Sequence, residues 1–308
     1  PSTFFYPYRG AWSKSDPELR YVPVGTGKPG DYLTDKLTDR AIQLIKERKE
    51  RPFFVSLWYH TVHTPIEAKQ EVISHFKEKP PGMIHKHAVY AAMLTSLDEN
   101  IGRLLDTLRH LKLDRETIVI LTSDNGGVDF PSGKSGGAPP TSNSPWRSGK
   151  GTLYEGGIRV PLMIHWPGIT QPGSVCNEPV LSQDFYSTLA SEIGVQDADI
   201  PQNDGVNLLP LIKGEQLKLP SRALFWHYPH YYPRMTPASA VRDGNWKLIH
   251  YYEDDRVELF DLANDRSERA DLATTYPMRA KQLKQQLDQW RESIGANAPK
   301  PNPDWHEK

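Results

Sequence analysis

The sequence predicts an α/β fold, a mostly parallel sheet flanked by helices, followed by a smaller C-terminal antiparallel sheet with one helix. Three observations carry this. Continuous apolar runs at residues 52–60 and 117–122 alternate with segments of helical spacing, the pattern of strands buried on both faces. A third such run, 160–166, follows a long loop rich in Gly, Ser and Pro. After about residue 220 short strands separated by tight turns take over. Helix, strand, helix, strand in this order favours right-handed crossover units, with ligands beyond the carboxyl ends of the strands. The expected division is a large domain over residues 1–205 and a small one over 206–308.

Residues 1–30 are rich in Pro, Gly and aromatics without periodicity and read as an irregular excursion. Leu33, Leu37, Ala41, Leu44 and Ile45 then follow helical spacing up to a charged end at 46–51. The aromatic run at 52–60 comes next and carries His60 at its end, with His63 just beyond. A long helix is expected over 87–112, where Val89, Met93, Leu97, Ile101, Leu104, Leu108 and Leu111 form one stripe. After the strand at 117–122 lies SDNGG, residues 123–127, and then a loop to residue 151 that is too long for a plain connection. A helix is expected over 183–193, strands at 222–228, 238–243, 246–252 and 257–262, and a last amphipathic helix at 276–293.

Thirty-seven Lys+Arg against thirty-eight Asp+Glu give no global positive field for nucleic acid. Any anionic ligand must be met by a few placed cations. Mean hydropathy is −0.61, and no apolar run approaches the roughly 20 residues of a membrane span. Cys176 is the single cysteine, which excludes an intrachain disulfide and a cysteine-rich zinc site.

Asp124 and Asn125 are adjacent oxygen donors on a turn leaving a strand, and Gly126-Gly127 lets backbone approach an ion closely, a chemistry suited to Ca²⁺. An Asx turn capping the strand is the alternative. His63, in HTVHTP, could donate a proton to a leaving oxygen, or be a structural histidine. Lys150 sits between two glycines, where its ammonium can reach a compact anion, although a solvated surface charge would look the same. Glu155 and Arg159 read as an ion pair bracing a glycine turn. His227, His230, Tyr231 and Tyr232 could stack on sugar rings or pack internally.

The order of VHTP, YAAMLTSLDENIGRLLDTL, TIVILTSDNGG and GKGTLYEGGIRVPLMIHWPG resembles the type I, formylglycine-dependent sulfatases of the alkaline phosphatase superfamily. The resemblance continues through SQDFYSTLASEIG, DGVNLLPLIKGE and VRDGNWKLIHYYEDDRVELFDLANDRSE, so it covers nearly the whole chain. It implies an alkaline phosphatase-like fold and hydrolysis of sulfate esters, with a sulfated carbohydrate as substrate. It implies Asp124 and Asn125 as calcium ligands, with His63 and Lys150 holding the sulfate and the bridging oxygen. A periplasmic or secreted location, with no nucleic-acid partner and no membrane span, goes with it.

The family's Cys-x-Pro-Ser-Arg segment, whose cysteine becomes formylglycine, is not in the sequence, because Cys176 is followed by Asn-Glu-Pro. Its early paired aspartates and Gly-Lys-Trp-His segment are missing too. The resemblance therefore implies an N-terminally truncated fragment, inactive and weak in calcium binding by itself. Two other readings stand beside it: a phosphonate or phosphate ester hydrolase of the same superfamily, and a non-catalytic sulfoglycan-binding remnant.

Overall fold

The structure, a computed structural model, describes residues 3–8, 27–131, 138–195, 203–216, 218–300 and 302–304. Most of the irregular opening stretch, residues 132–137 of the long loop, and residues 196–202 before the expected domain boundary lie outside these. The chain divides into two compact units, Pro1–Thr117 with Ser123–Val160, and Ile118–Thr122 with Pro161–Lys308.

The first unit is helical. It holds α1 (Leu33–Arg48), α2 (Gln70–Lys77), α3 (Ala88–His110) and the short α4 (Glu155–Ile158). Phe4, Tyr32, Leu33, Ile66, Ile73 and Met93 form its core, and burial pushes the Tyr32 phenol up to about 12. The buried residues of α3 are Ala92, Met93, Ser96, Asn100 and Leu108, more polar in the helix's first half than the leucine stripe suggested. The reason is Asp35 on α1, which accepts from the Asn100 amide at 2.8 Å and pairs with Lys69 at 2.7 Å. That carboxylate gives the Asn100 amide a partner at the helix contact, which offsets the cost of burying it.

Residues 52–60 differ from expectation. They form no strand ladder among the described residues, and Phe54 and Trp58 are 81% and 80% exposed. The end of the segment is tied to α1. Tyr59 shares a 2.7 Å hydrogen bond with Thr38 on α1, and Thr61 bonds to Thr34 on the same helix. An apolar run becomes a doubly buried strand only where strands flank it, and none does so here.

The second unit begins with β1 (Val119–Thr122) and β2 (Leu162–His165), which pair antiparallel with Val119 opposite His165 and Thr122 opposite Leu162. Parallel pairing was the expectation for these two. Short apolar runs of this kind carry no signal for strand direction, which the register decides. Helices α5 (Asp184–Glu192) and α6 (Leu209–Ile212) follow.

A four-stranded antiparallel meander comes next, in the order β3 (Ala223–Tyr228), β4 (Ala238–Asp243), β5 (Trp246–Tyr251) and β6 (Val257–Asp261). The β4–β5 turn works because Gly244 takes φ +60°, open to glycine without a Cβ clash. Helix α7 (Pro277–Ser293) covers the sheet, packing Ala280, Leu283 and Leu287 on Val241, Leu248 and Leu259, and Trp290 stacks on Phe225 at 4.7 Å. Lys247 and Glu268 form a 2.8 Å ion pair that is fully buried. No helix among the described residues is long and apolar enough to cross a membrane.

Candidate functional site

Where β1 ends, Ser123 opens a turn and Asp124 points outward, exposed, with its Oδ1 3.4 Å from the Ser123 hydroxyl. Asn125 is half-buried. Its Nδ2 donates to Gly126 O at 2.9 Å, which leaves Oδ1 as an available acceptor. The two side chains thus offer carboxylate and amide oxygens from adjacent positions.

The glycines after them exist to let backbone meet backbone. A Cβ on Gly126 would lie 1.7 Å from Gly156 O, and the Gly126 N–H donates to Gly157 O at 2.9 Å. On the other side, the Lys150 N–H donates to Gly127 O at 3.0 Å. A Cβ on Gly149 would lie 2.2 Å from that same oxygen. The structure therefore ties the Asp124-Asn125 turn and the backbone of Lys150 into one hydrogen-bonded knot, although 22 residues of chain lie between Gly127 and Lys150.

Behind the knot, Arg147 lies over the Tyr154 ring at 3.9 Å and Arg159 over Trp146 at 4.0 Å. Arg159 also reaches the buried Glu155 at 3.7 Å. Glu155 and Arg159 brace the loop, as the sequence suggested.

His63 lies in the same unit, exposed, on the turn after residues 52–60. Its backbone N–H donates to His60 O at 2.7 Å. Its Nδ1 lies 2.9 Å from the Thr64 carbonyl, which can only accept, so Nδ1 carries the proton and Nε2 faces away. No hydrogen bond among the described residues joins His63 to the knot around Lys150. His60 is half-buried, and that burial, aided by His63, holds its imidazole below the ordinary histidine value.

The aromatic cluster belongs to the second unit. His227 on β3 meets Ser239 at 2.7 Å and Tyr252 at 3.1 Å through Nδ1, and donates from Nε2 to Asn297 O at 2.7 Å. Those bonds make His227 an internal strut. Tyr231 remains 70% exposed, its hydroxyl donating to Glu253 at 2.6 Å.

As a metal centre the knot is partial. Oxygen donors from Asp124 and Asn125 suit a hard cation, but no group of three or more His, Cys, Asp or Glu that could hold a metal occurs among the described residues. Sequence reasoning missed Asn143, whose amide ties Gly127 to Ser148. An Asn among Ser, Pro and Gly in a loop gives no signal that would set it apart.

Residues 3–195 match the Sulfatase family, and residues 147–293 match the family described as N-sulphoglucosamine sulphohydrolase, C-terminal. A sulfatase of Formosa agariphila is 35% identical over 267 residues, covering 80% of this chain and 47% of its own length. The mouse steryl-sulfatase is 30% identical over 292 residues, covering 85% and 45%. Among solved structures, Ps i-CgsB in complex with k-i-k-neocarrahexaose superposes with a TM-score of 0.72 at 27% identity, over 91% of this chain and 61% of that one. The chain spans about half the length of the relatives it matches, and its fold is the alkaline phosphatase-like α/β fold of these enzymes. The Sulfatase family match covers more than half of the sequence, the turn and the Lys150 segment included: the chain belongs to the sulfatase family.

Proposed function

We propose that the protein is a sulfuric ester hydrolase that removes sulfate from a sulfated carbohydrate, and that the knot around Gly127 forms part of its active site. The observation that supports this reading is the Lys150 backbone N–H bond to Gly127 O, which ties the segment carrying Lys150 to the turn carrying Asp124 and Asn125 in a chain of the sulfatase family. The carbohydrate substrate draws support from Ps i-CgsB, bound to neocarrahexaose. A periplasmic or extracellular site of action belongs to the same proposal.

Within it, Asp124 and Asn125 Oδ1 would hold calcium, which supplies positive charge against the sulfate oxygens when bound. The Lys150 ammonium pairs with a sulfate or bridging oxygen. His63, with its Nδ1 hydrogen engaged by Thr64 O, would as the imidazolium deliver the proton on Nε2 to the departing alcohol oxygen and be left as the neutral ring. The S–O bond to the alcohol breaks, and ester plus water gives alcohol plus sulfate. A formylglycine nucleophile is part of the reading, and no Cys-x-Pro-Ser-Arg segment lies within these 308 residues.

The test is sulfate release by protein produced from its complete gene, on aryl sulfates and sulfated oligosaccharides, with the matching phosphate and phosphonate esters alongside. Lys150→Ala is expected to lower kcat/KM on sulfate esters by about 10²–10³-fold. Preference for phosphate or phosphonate esters would replace the reading with the neighbouring hydrolase class. Binding of sulfated glycan without turnover would leave a binding protein.

A further inference from the structure

We propose that Asn143 is a positioning residue of the site, a side-chain clasp that sets the distance between the oxygen donors Asp124 and Asn125 and the Lys150 cation. This rests on the functional reading above.

The geometry is that of a peptide mimic. Asn143 Oδ1 accepts the Gly127 N–H at 2.9 Å, and Nδ2 donates to Gly127 O at 2.9 Å and to Ser148 O at 3.0 Å. One N–H faces one end of the amide and two carbonyls face the other, so the network itself fixes which atom is oxygen and which nitrogen. Gly127 lies two residues after Asn125, and Ser148 two residues before Lys150. A single side chain thereby fastens the segments carrying both halves of the site.

Two further contacts make the clasp shared rather than incidental. Gly127 O accepts from the Lys150 N–H as well as from Asn143, so both lone pairs of that carbonyl are used to join the segments. A Cβ on Gly149 would lie 2.2 Å from Gly127 O and 2.6 Å from Asn143 Nδ2, so the close approach is available only to glycine there. Asn143 is itself anchored, since its carbonyl accepts the Trp146 N–H at 2.9 Å, and Arg159 packs over the Trp146 ring.

Asn143→Asp is the informative change because it keeps shape and the acceptor for Gly127 N–H. At high pH the carboxylate directs an oxygen at two carbonyl oxygens and pushes the segments apart. When protonated, the acid regains one O–H donor for Gly127 O and restores the double bond to that residue. Asn143→Leu removes every side-chain bond of the clasp and cannot be rescued.

The experiment compares wild type, Asn143→Asp, Asn143→Leu, Lys150→Ala and the Asn143→Asp/Lys150→Ala double variant, all from the complete gene. It reads kcat and KM against pH on a sulfate ester, and Ca²⁺ affinity by chelator competition. At about pH 8, Asn143→Asp is expected to lower kcat by about 100-fold with KM changed far less, since misplacement of the site by about 1 Å costs that much. Calcium affinity is expected to weaken by about tenfold. The loss should shrink as pH falls in Asn143→Asp and stay constant in Asn143→Leu. The double variant should be no slower than Lys150→Ala alone, because the clasp acts through the lysine.

Wild-type kcat and calcium affinity in both Asn143 variants, or a loss that multiplies with that of Lys150→Ala, would overturn the clasp. Should Asn143→Leu fail to fold, the pH dependence of Asn143→Asp decides alone. If Lys150→Ala itself leaves sulfate release intact, the functional reading fails instead, and the two failures are told apart.

Discussion

At Gly126 and Gly149 the absence of a side chain is what allows chemistry nearby. Carbonyl oxygens of Gly156 and Gly127 occupy the space a Cβ would need, so Ala at either position would open the knot. Asp124, Asn125 and Lys150 could be singled out as candidates in the sequence because oxygen donors beside Gly-Gly, and lysine between glycines, restrict what the backbone is for. Asn143 was not, because its role lies in which backbone groups its amide meets across the fold.

His250 gives a prediction at the same scale. Burial holds its imidazole below the ordinary value of 6.5, outweighing the opposing pull of Asp255, which lies 2.6 Å from Nε2. Lys284, 3.5 Å from Asp255, disfavours the imidazolium further, and Asp288 favours it weakly. The folded state therefore prefers neutral His250, and below 6.5 the unfolded chain binds the extra proton. Stability from this group is complete above 6.5 and declines as pH falls toward the depressed folded value. Melting temperatures at about pH 7.5 and about pH 5.5 should differ less in His250→Gln than in wild type. An unchanged difference would mean that His250 does not set this slope.

At the level of elements, α2 and the one-turn α4 and α6 were not foreseen, whereas α1, α3, α5, α7 and the C-terminal meander were read nearly residue for residue. Their periodicities are strong, and each is satisfied by local packing such as Leu283 and Leu287 on Leu248 and Leu259. Residues 52–60 and the β1–β2 pair were read less well. An apolar run records that burial is wanted, whereas pairing and direction depend on which strand lies alongside.

Helix α5 depends on a group no periodicity reveals. Asp184 is fully buried at its first position and accepts from Leu181 N at 2.7 Å, Val206 N at 2.9 Å and Arg222 Nη1 at 2.7 Å. It joins the start of α5 to the chain entering α6 and to the residue before β3. Asp184→Ala would leave the mostly buried Arg222 guanidinium without its carboxylate and should cost about 3–5 kcal/mol. Urea unfolding measures it, and a loss below about 1 kcal/mol would show that water replaces the carboxylate at this site.

For the molecule as a whole, the deciding quantities are counts of chemical groups. These residues supply two calcium-ligand candidates, where the ion takes about six to eight oxygens, and one cysteine, which lies in Cys-Asn-Glu-Pro. The 308-residue chain produced by itself is therefore expected to release no sulfate from an aryl sulfate. Calorimetry is expected to find no saturable Ca²⁺ binding at about 0.1 mM. Turnover by this chain alone would sink the formylglycine reading.

The sequence by itself determined the family and most of the helices and C-terminal strands, since these rest on residue type, order and short-range spacing. Only the tertiary structure decided that residues 52–60 stay unladdered, that β1 and β2 run antiparallel, and that Asn143 clasps Gly127 to Ser148. Those are facts about backbone hydrogen-bond partners far apart in the chain. Every backbone carries the same N–H and C=O, so only the three-dimensional path selects which of them meet.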